Sequence, residues 1–416
     1  MNNVVVLLLV MLAIAIIVGG IWYYTKRRYI KSIEERGWTW VESPGIDIII
    51  GLNTAPFGVG FERRVDDQVI GRGPAGVPFQ AFRYSSDAFS SSGYVVSMKL
   101  PKSLPEASAF LPDMPRAGVS GALVTSSPVH VVARRPDFGR EFAAAVIPAL
   151  GGLRDSQQQA MRVDVGVDHD QLVMLHVPRK PEDLELAVAW LEGVQQALTS
   201  SNAMSFDGTP PPQHLSFQDR EHWVYRPYDD SMLSYVNHSS GGSNHQAKDI
   251  IVSDNQGLPF IRLTHTWETT YTTTDSKGNT TTHTQRHTEH IAQFRTTFPF
   301  REVSVNWGLF GGFGGNKVEF ESTAFNQRFK VRCPVPRFAS DVFHPRQLEY
   351  FLRTGGLGFI IEGDGTIRVE GGDWSPAELD RTSEFLHGFF ARIPDFAWKE
   401  LGAWPRPIAE IENYSA

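Results

Sequence analysis

Pro181-Glu182-Asp183-Leu184, with Trp190-Leu191 and Gly193 behind it, recurs 195 residues later as Pro376-Ala377-Glu378-Leu379, Phe385-Leu386 and Gly388. Proline at a first helical position, acid in the first turn and apolar residues at helical spacing mark a helix with one buried face. Ser375 and Glu378 add the reciprocal capping pair to the second copy. A helix of the same design at the same spacing predicts one structural unit written twice.

Earlier anchors extend the pattern. Gln68-Val69-Ile70 and Gly76-Val77-Pro78-Phe79 return at an offset of 181 as Asp249-Ile250-Ile251 and Gly257-Leu258-Pro259-Phe260. Pro105-Glu106-Ala107-Ser108 returns as Arg301-Glu302-Val303-Ser304, at an offset of 196. Between these anchors lie extended runs, Val77–Tyr84 and Leu258–Tyr271, then Tyr94–Leu100 and His283–Phe298. A middle helix is predicted at Phe138–Leu150 in the first copy and at Arg346–Arg353 in the second. A hairpin precedes each closing helix, turned in the second copy by Gly363-Asp364-Gly365, whose Asp-Gly pair suits positive φ. The expected fold class is α+β: two tandem related antiparallel-sheet domains, each with a middle and a closing helix, behind an N-terminal transmembrane helix.

That leading helix is read from Val4 to Tyr24, 21 residues without charge. At 1.5 Å per residue it matches a hydrocarbon core of about 30 Å. Trp22, Tyr23 and Tyr24 supply interfacial rings, and Lys26, Arg27, Arg28 and Lys31 follow. No charge precedes the run, which separates it from a cleaved signal peptide. The positive-inside rule places the N-terminus outside and the remaining chain in the cytoplasm. The expected organisation is an anchor (1–24), a juxtamembrane segment (25–54), a first α+β domain (55–205), a Pro/Gly-rich linker (206–238) and a second α+β domain (239–416).

The 416 residues carry 39 Lys plus Arg against 46 Asp plus Glu, a net charge of -7 that argues against nucleic acid as a partner. A single cysteine, Cys333, excludes an internal disulfide framework and a cysteine-based zinc site.

Gly37-Trp38, Pro56-Phe57-Gly58 and the run from Gly76 to Tyr84 stand with Glu321-Ser322, Phe325-Asn326, Phe329, Val331, Arg337-Phe338-Ala339 and His344-Pro345-Arg346. Together they resemble a family of single-pass bacterial membrane proteins of unknown function, common in high-GC Gram-positive bacteria. The resemblance implies a membrane anchor and a soluble β-rich domain, and it transfers no catalytic residue.

Histidine is the one chemically versatile residue type that clusters. His265, His283, His287 and His290 fall in a Thr-rich hairpin turned near Ser276-Lys277-Gly278-Asn279. A two-residue loop at Lys277-Gly278 would set His287 opposite Glu268, with His283 further along the same face and His265 opposite His290 on the other. His283, His287 and Glu268 are then a candidate zinc set with an open position. The plainer reading is an exposed ribbon in which His is one more polar strand residue, and a slip of one residue exchanges the faces.

The stretch Trp307-Gly308-Leu309-Phe310-Gly311-Gly312-Phe313-Gly314-Gly315-Asn316-Lys317 lacks phosphate-loop spacing. Trp307, Leu309, Phe310 and Phe313 are candidates either for docking a partner or membrane, or for core burial. No catalytic residue and no cofactor is assigned. The function expected is a membrane-anchored, cytoplasm-facing interaction or scaffold protein, with lipid bound through residues 4–24 and a protein partner beyond. The alternatives are a metal-dependent hydrolase using the His-rich hairpin and a pleckstrin-homology-like lipid-surface module.

Overall fold

The computed structural model describes residues 2–91, 93–114, 118–255, 257–274, 276–278, 280–306 and 315–409, and excludes the side chains of 2–6, 8–10 and 255. The chain divides into two compact units, Met1–Glu221 and His222–Ala416.

In the first unit α1 (Asn2–Glu34) leads to β1 (Thr39–Val41), β2 (Arg64–Arg72), β3 (Pro78–Ser86), β4 (Phe89–Ser90) and β5 (Tyr94–Lys99). Then come β6 (Ala107–Phe110), β7 (Ala122–Thr125), β8 (His130–Ala133) and α2 (Pro136–Val146). The hairpin β9 (Asp164–Asp168) and β10 (Gln171–Val177) precedes the closing α3 (Pro181–Thr199). The antiparallel sheet runs β1-β2-β3-β5-β10-β9-β6-β8-β7, with β4 on β3.

The second unit contains β11 (Val224–Tyr228), β12 (Ser243–Asn255), β13 (Leu258–Thr274), β14 (Thr280–Arg295), β15 (Val303–Val305) and β16 (Asn316–Val318). After α4 (Thr323–Arg328) come β17 (Val331–Cys333), α5 (Pro336–Val342) and α6 (Pro345–Thr354). The hairpin β18 (Phe359–Ile361) and β19 (Thr366–Val369), then α7 (Pro376–Ala391) and α8 (Asp395–Glu400), complete it. Its order is β11-β12-β13-β14-β19-β18-β15-β17-β16. Apart from β4, each strand takes the place of its counterpart in the first sheet, including the non-sequential insertion of the late hairpin at the centre.

The sequence anchors land on matched elements. Val69 and Ile250 are buried in the second strands, and Phe79 and Phe260 in the third. The closing helices bury Leu184, Leu191 and Val194 in α3 and Leu379, Leu386 and Phe389 in α7, each side chain fully enclosed. Around α7 the apolar filling is aromatic: Phe351, Phe359 and Phe389 meet edge-on or tilted at ring separations of 5.3–6.3 Å. Edge-to-face contact is the arrangement the ring quadrupole favours.

Two expectations are corrected. The Arg346–Arg353 helix exists as α6, but the topological partner of α2 is α5. Pro136 and Phe138 follow β8 as Pro336 and Phe338 follow β17, so Cys333 takes the buried strand position of Ala133. The 206–238 stretch is not free linker: Phe217 is buried under the Arg63 guanidinium, which lies 4.3 Å from its ring, and Arg63 donates to Ser216 O at 2.6 Å. Trp223 and Tyr225 are buried in turn, with β11 paired to β12.

The leading helix is α1, Asn2–Glu34. Among the described residues no helix is long and apolar enough to cross a membrane. The far end of α1 is fastened to its unit through buried Ile33, a 2.7 Å hydrogen bond between the Tyr29 and Tyr94 hydroxyls, and a Lys26–Glu42 ion pair.

Candidate metal centre

β13 and β14 outrun their counterparts β3 and β5, forming a ribbon whose outer half, Thr269–Thr274 with Thr280–Gln285, is paired only to itself. Its register sets Thr274 opposite Thr280, Tyr271 opposite His283, Trp267 opposite His287 and Glu268 opposite Arg286. The loop therefore holds five residues, not two, and every pair moves by one from the expectation. Side chains alternate faces, so this single step sends Glu268 to the face opposite His287.

His283, His287 and Glu268 do not converge. The His287 ring lies nearly parallel to Trp267 at 5.1 Å, with its Nε2 2.8 Å from Thr269 Oγ1. His283 lies nearly parallel to Tyr271 at 5.1 Å, with its Nε2 2.9 Å from Thr273 Oγ1. Glu268 accepts a 2.7 Å bond from Asn244 Nδ2. His290 sits opposite Thr264, not His265, and burial lowers the pKa of its imidazole.

At the base of the ribbon a different set does converge. Between Ser243 and Gln246 the β12 register slips by one residue, and Asn244 takes φ +56°. Such a bulge re-aims the side chains around it. His245 lies beside His265 of β13, Nδ1 to Nε2 at 2.9 Å, with ring planes 12° apart. His238, in the loop before β12, packs edge-on against His265 with ring centres 4.7 Å apart. One nitrogen from each of His238, His245 and His265 falls within 4.8 Å of the other two.

The surrounding groups fix which nitrogens face inward. His265 is fully buried, and its Nδ1 is 2.8 Å from Glu289 Oε1, directly opposite on β14. An ionised carboxylate only accepts, so Nδ1 carries the proton and Nε2 presents its lone pair. Burial alone would raise the Glu289 carboxyl, but the Ser239 N–H, the His265 imidazole and the Ser239 hydroxyl together hold it below the ordinary carboxylate range. His238 Nδ1 is 2.9 Å from Ser239 O, a carbonyl that only accepts, which leaves Nε2 of that ring as its lone-pair nitrogen. Sequence reasoning missed His238 and His245 because both lie outside the hairpin, before or at the start of β12. The signal was the His238…His245 spacing beside a bulge-prone Gly-Gly-Ser-Asn run.

Trp307, Leu309, Phe310 and Phe313 lie outside the described residues. A cleft of about 650 Å³ between α6 and α7 is lined by Arg381, Glu384 and other charges. Glu378 accepts from the N–H groups of Gly372 and Trp374, and Arg392 lies 3.9 Å over the Tyr350 ring. Cys333 is buried, which pushes its thiol pKa up, away from nucleophile behaviour.

No family model matches the chain, and no curated protein matches it. Among solved structures it is similar to the mycobacterial trehalose monomycolate transport factor A, TtfA, at 10% identity and a TM-score of 0.31, over 41% of this chain and 93% of that one. A likeness this distant carries no argument about fold or function.

Proposed function

We propose that this chain is a single-pass membrane-anchored interaction protein, built from a duplicated α+β unit and facing the cytoplasm. Residues 4–24 hold it in the bilayer, Trp22, Tyr23 and Tyr24 sit at the interface, and Lys26, Arg27 and Arg28 form a basic collar on the inner side. The two units offer surfaces to a protein partner and none to nucleic acid. The chain then belongs with the single-pass bacterial membrane proteins that its Gly-Trp, Pro-Phe-Gly and His-Pro-Arg motifs resemble.

The observation that carries this reading is the exposure of consecutive apolar side chains. Ile14, Ile16, Ile17, Val18, Ile21 and Trp22 are each 52–66% exposed on a helix whose far end is docked. Apolar area costs about 25 cal/mol per Å² when left in water, so so dense a cluster marks a surface meant for another phase. The shared strand order supports the duplication, since nine strands arranged alike around a late-inserted hairpin do not follow from composition.

Fractionation tests the anchor. The full chain should sediment with membranes and resist alkaline extraction, and removal of residues 1–24 should release it. A C-terminal reporter should be active only in the cytoplasm. Full-length protein in the soluble fraction, or an exported reporter, would overturn the reading.

A further inference from the structure

We propose that His238, His245 and His265 form a site for one divalent first-row transition-metal ion, zinc foremost, at the base of the β13–β14 ribbon. The inference is independent of membrane anchoring and uses none of the ribbon's outer histidines.

Three imidazoles without thiolate suit a borderline ion, such as zinc, over a hard one such as magnesium or calcium. Three Zn–N bonds of about 2.0–2.1 Å place tetrahedral nitrogens about 3.4 Å apart and ring centres about 5 Å apart. The ring centres here stand 4.7, 5.1 and 5.9 Å apart. Movements of about an ångström therefore reach that geometry. The His245–His265 pair would open from 2.9 Å as the ion takes the place of the proton between the two nitrogens.

The outer layer carries the argument furthest. A metal-bound histidine commonly donates its other N–H to a carboxylate or a backbone carbonyl, which fixes the tautomer and strengthens the ligand. Both arrangements occur here, Glu289 behind His265 and the Ser239 carbonyl behind His238. Glu289 also accepts from the Ser239 amide at 2.8 Å, so one carboxylate orients a ligand and ties down the loop that carries another. With three protein ligands, a fourth position stays open for water, the arrangement of hydrolytic zinc centres. Bound metal would also cross-link the 236–242 loop to two strands.

The test is zinc titration of the purified full chain in detergent, followed by exhaustive dialysis and elemental analysis. One zinc per chain is expected. His238→Ala and His245→Ala, at half-buried positions, should each abolish stoichiometric binding while keeping the wild-type circular dichroism spectrum. Glu289→Gln should weaken affinity by about 10–100-fold. His283→Ala and His287→Ala should bind as wild type does. Folded wild-type protein that retains no stoichiometric zinc would overturn the proposal. So would binding that survives in the His238→Ala/His245→Ala double variant, or that disappears with His283→Ala.

Discussion

Gly193 and Gly388 occupy the same place in the two closing helices, and replacing each with alanine should move stability in opposite directions. Glycine inside a helix costs about 0.5–1 kcal/mol relative to alanine, so an unobstructed methyl returns that amount. At Gly193 an added Cβ meets nothing within 4 Å, and Gly193→Ala should stabilise the first unit. At Gly388 the same Cβ would fall 2.3 Å from the Tyr350 hydroxyl and 2.8 Å from its Cζ. Tyr350 cannot easily swing away: it is buried, donates to Phe385 O at 3.1 Å and lies nearly parallel to the Phe385 ring at 5.4 Å. Overpacking of this kind costs about 1–3 kcal/mol. After the helix-propensity gain, Gly388→Ala should destabilise the second unit by about 1–2 kcal/mol. Calorimetry of the full chain reads both, because about 1 kcal/mol shifts the midpoint of a unit this size by about 2–4 °C. A rise for Gly193→Ala with a fall for Gly388→Ala is the expected pair. Equal rises would refute the reasoning, because they would mean that Tyr350 does not fill the space against Gly388.

Three shorter predictions accompany it. The Glu289 carboxyl is held low, so its contribution is present above the ordinary carboxylate range and is lost as pH falls through its lowered value. Amide exchange at Ser239 should therefore accelerate on acidification beyond its intrinsic pH dependence, and Glu289→Gln should remove that excess. Arg63→Met should cost about 1–3 kcal/mol, because Ser216 O and Gly60 O lose a buried donor; limited proteolysis at 213–221 should quicken, and an unchanged cleavage pattern would count against this anchoring. Cys333 should resist thiol reagents in the native chain and react on unfolding, with rapid native labelling contradicting its burial.

Much of the fold is legible in the sequence because its signals are local. Ser375-Pro376 with Glu378 writes a helix start into four neighbouring residues, and Ser375 does accept from the Glu378 N–H. The Gly363-Asp364-Gly365 turn likewise closes the β18–β19 hairpin, with Asp364 bonded to Thr366 N–H at 2.9 Å. The middle helix was harder. Pro336 opens a helix of only seven residues, and the longer Pro345–Thr354 beside it masks the true counterpart of α2.

The histidine site separates the two kinds of information more sharply. The Thr-rich run with His, Trp and Tyr between Thr264 and His290 suffices to predict a ribbon, since strand propensity needs only residue type. Which histidines meet depends on a five-residue turn, which shifts the pairing by one and separates Glu268 from His287. It depends equally on a bulge at Asn244 and on a loop that returns His238 to the sheet. By itself the sequence determined a repeated antiparallel α+β unit and an apolar N-terminal helix, because helix caps, turns and hydrophobic periods act between near neighbours. Only the tertiary structure decided that His238, His245 and His265 share one pocket backed by Glu289, because register and bulges are set by contacts between strands.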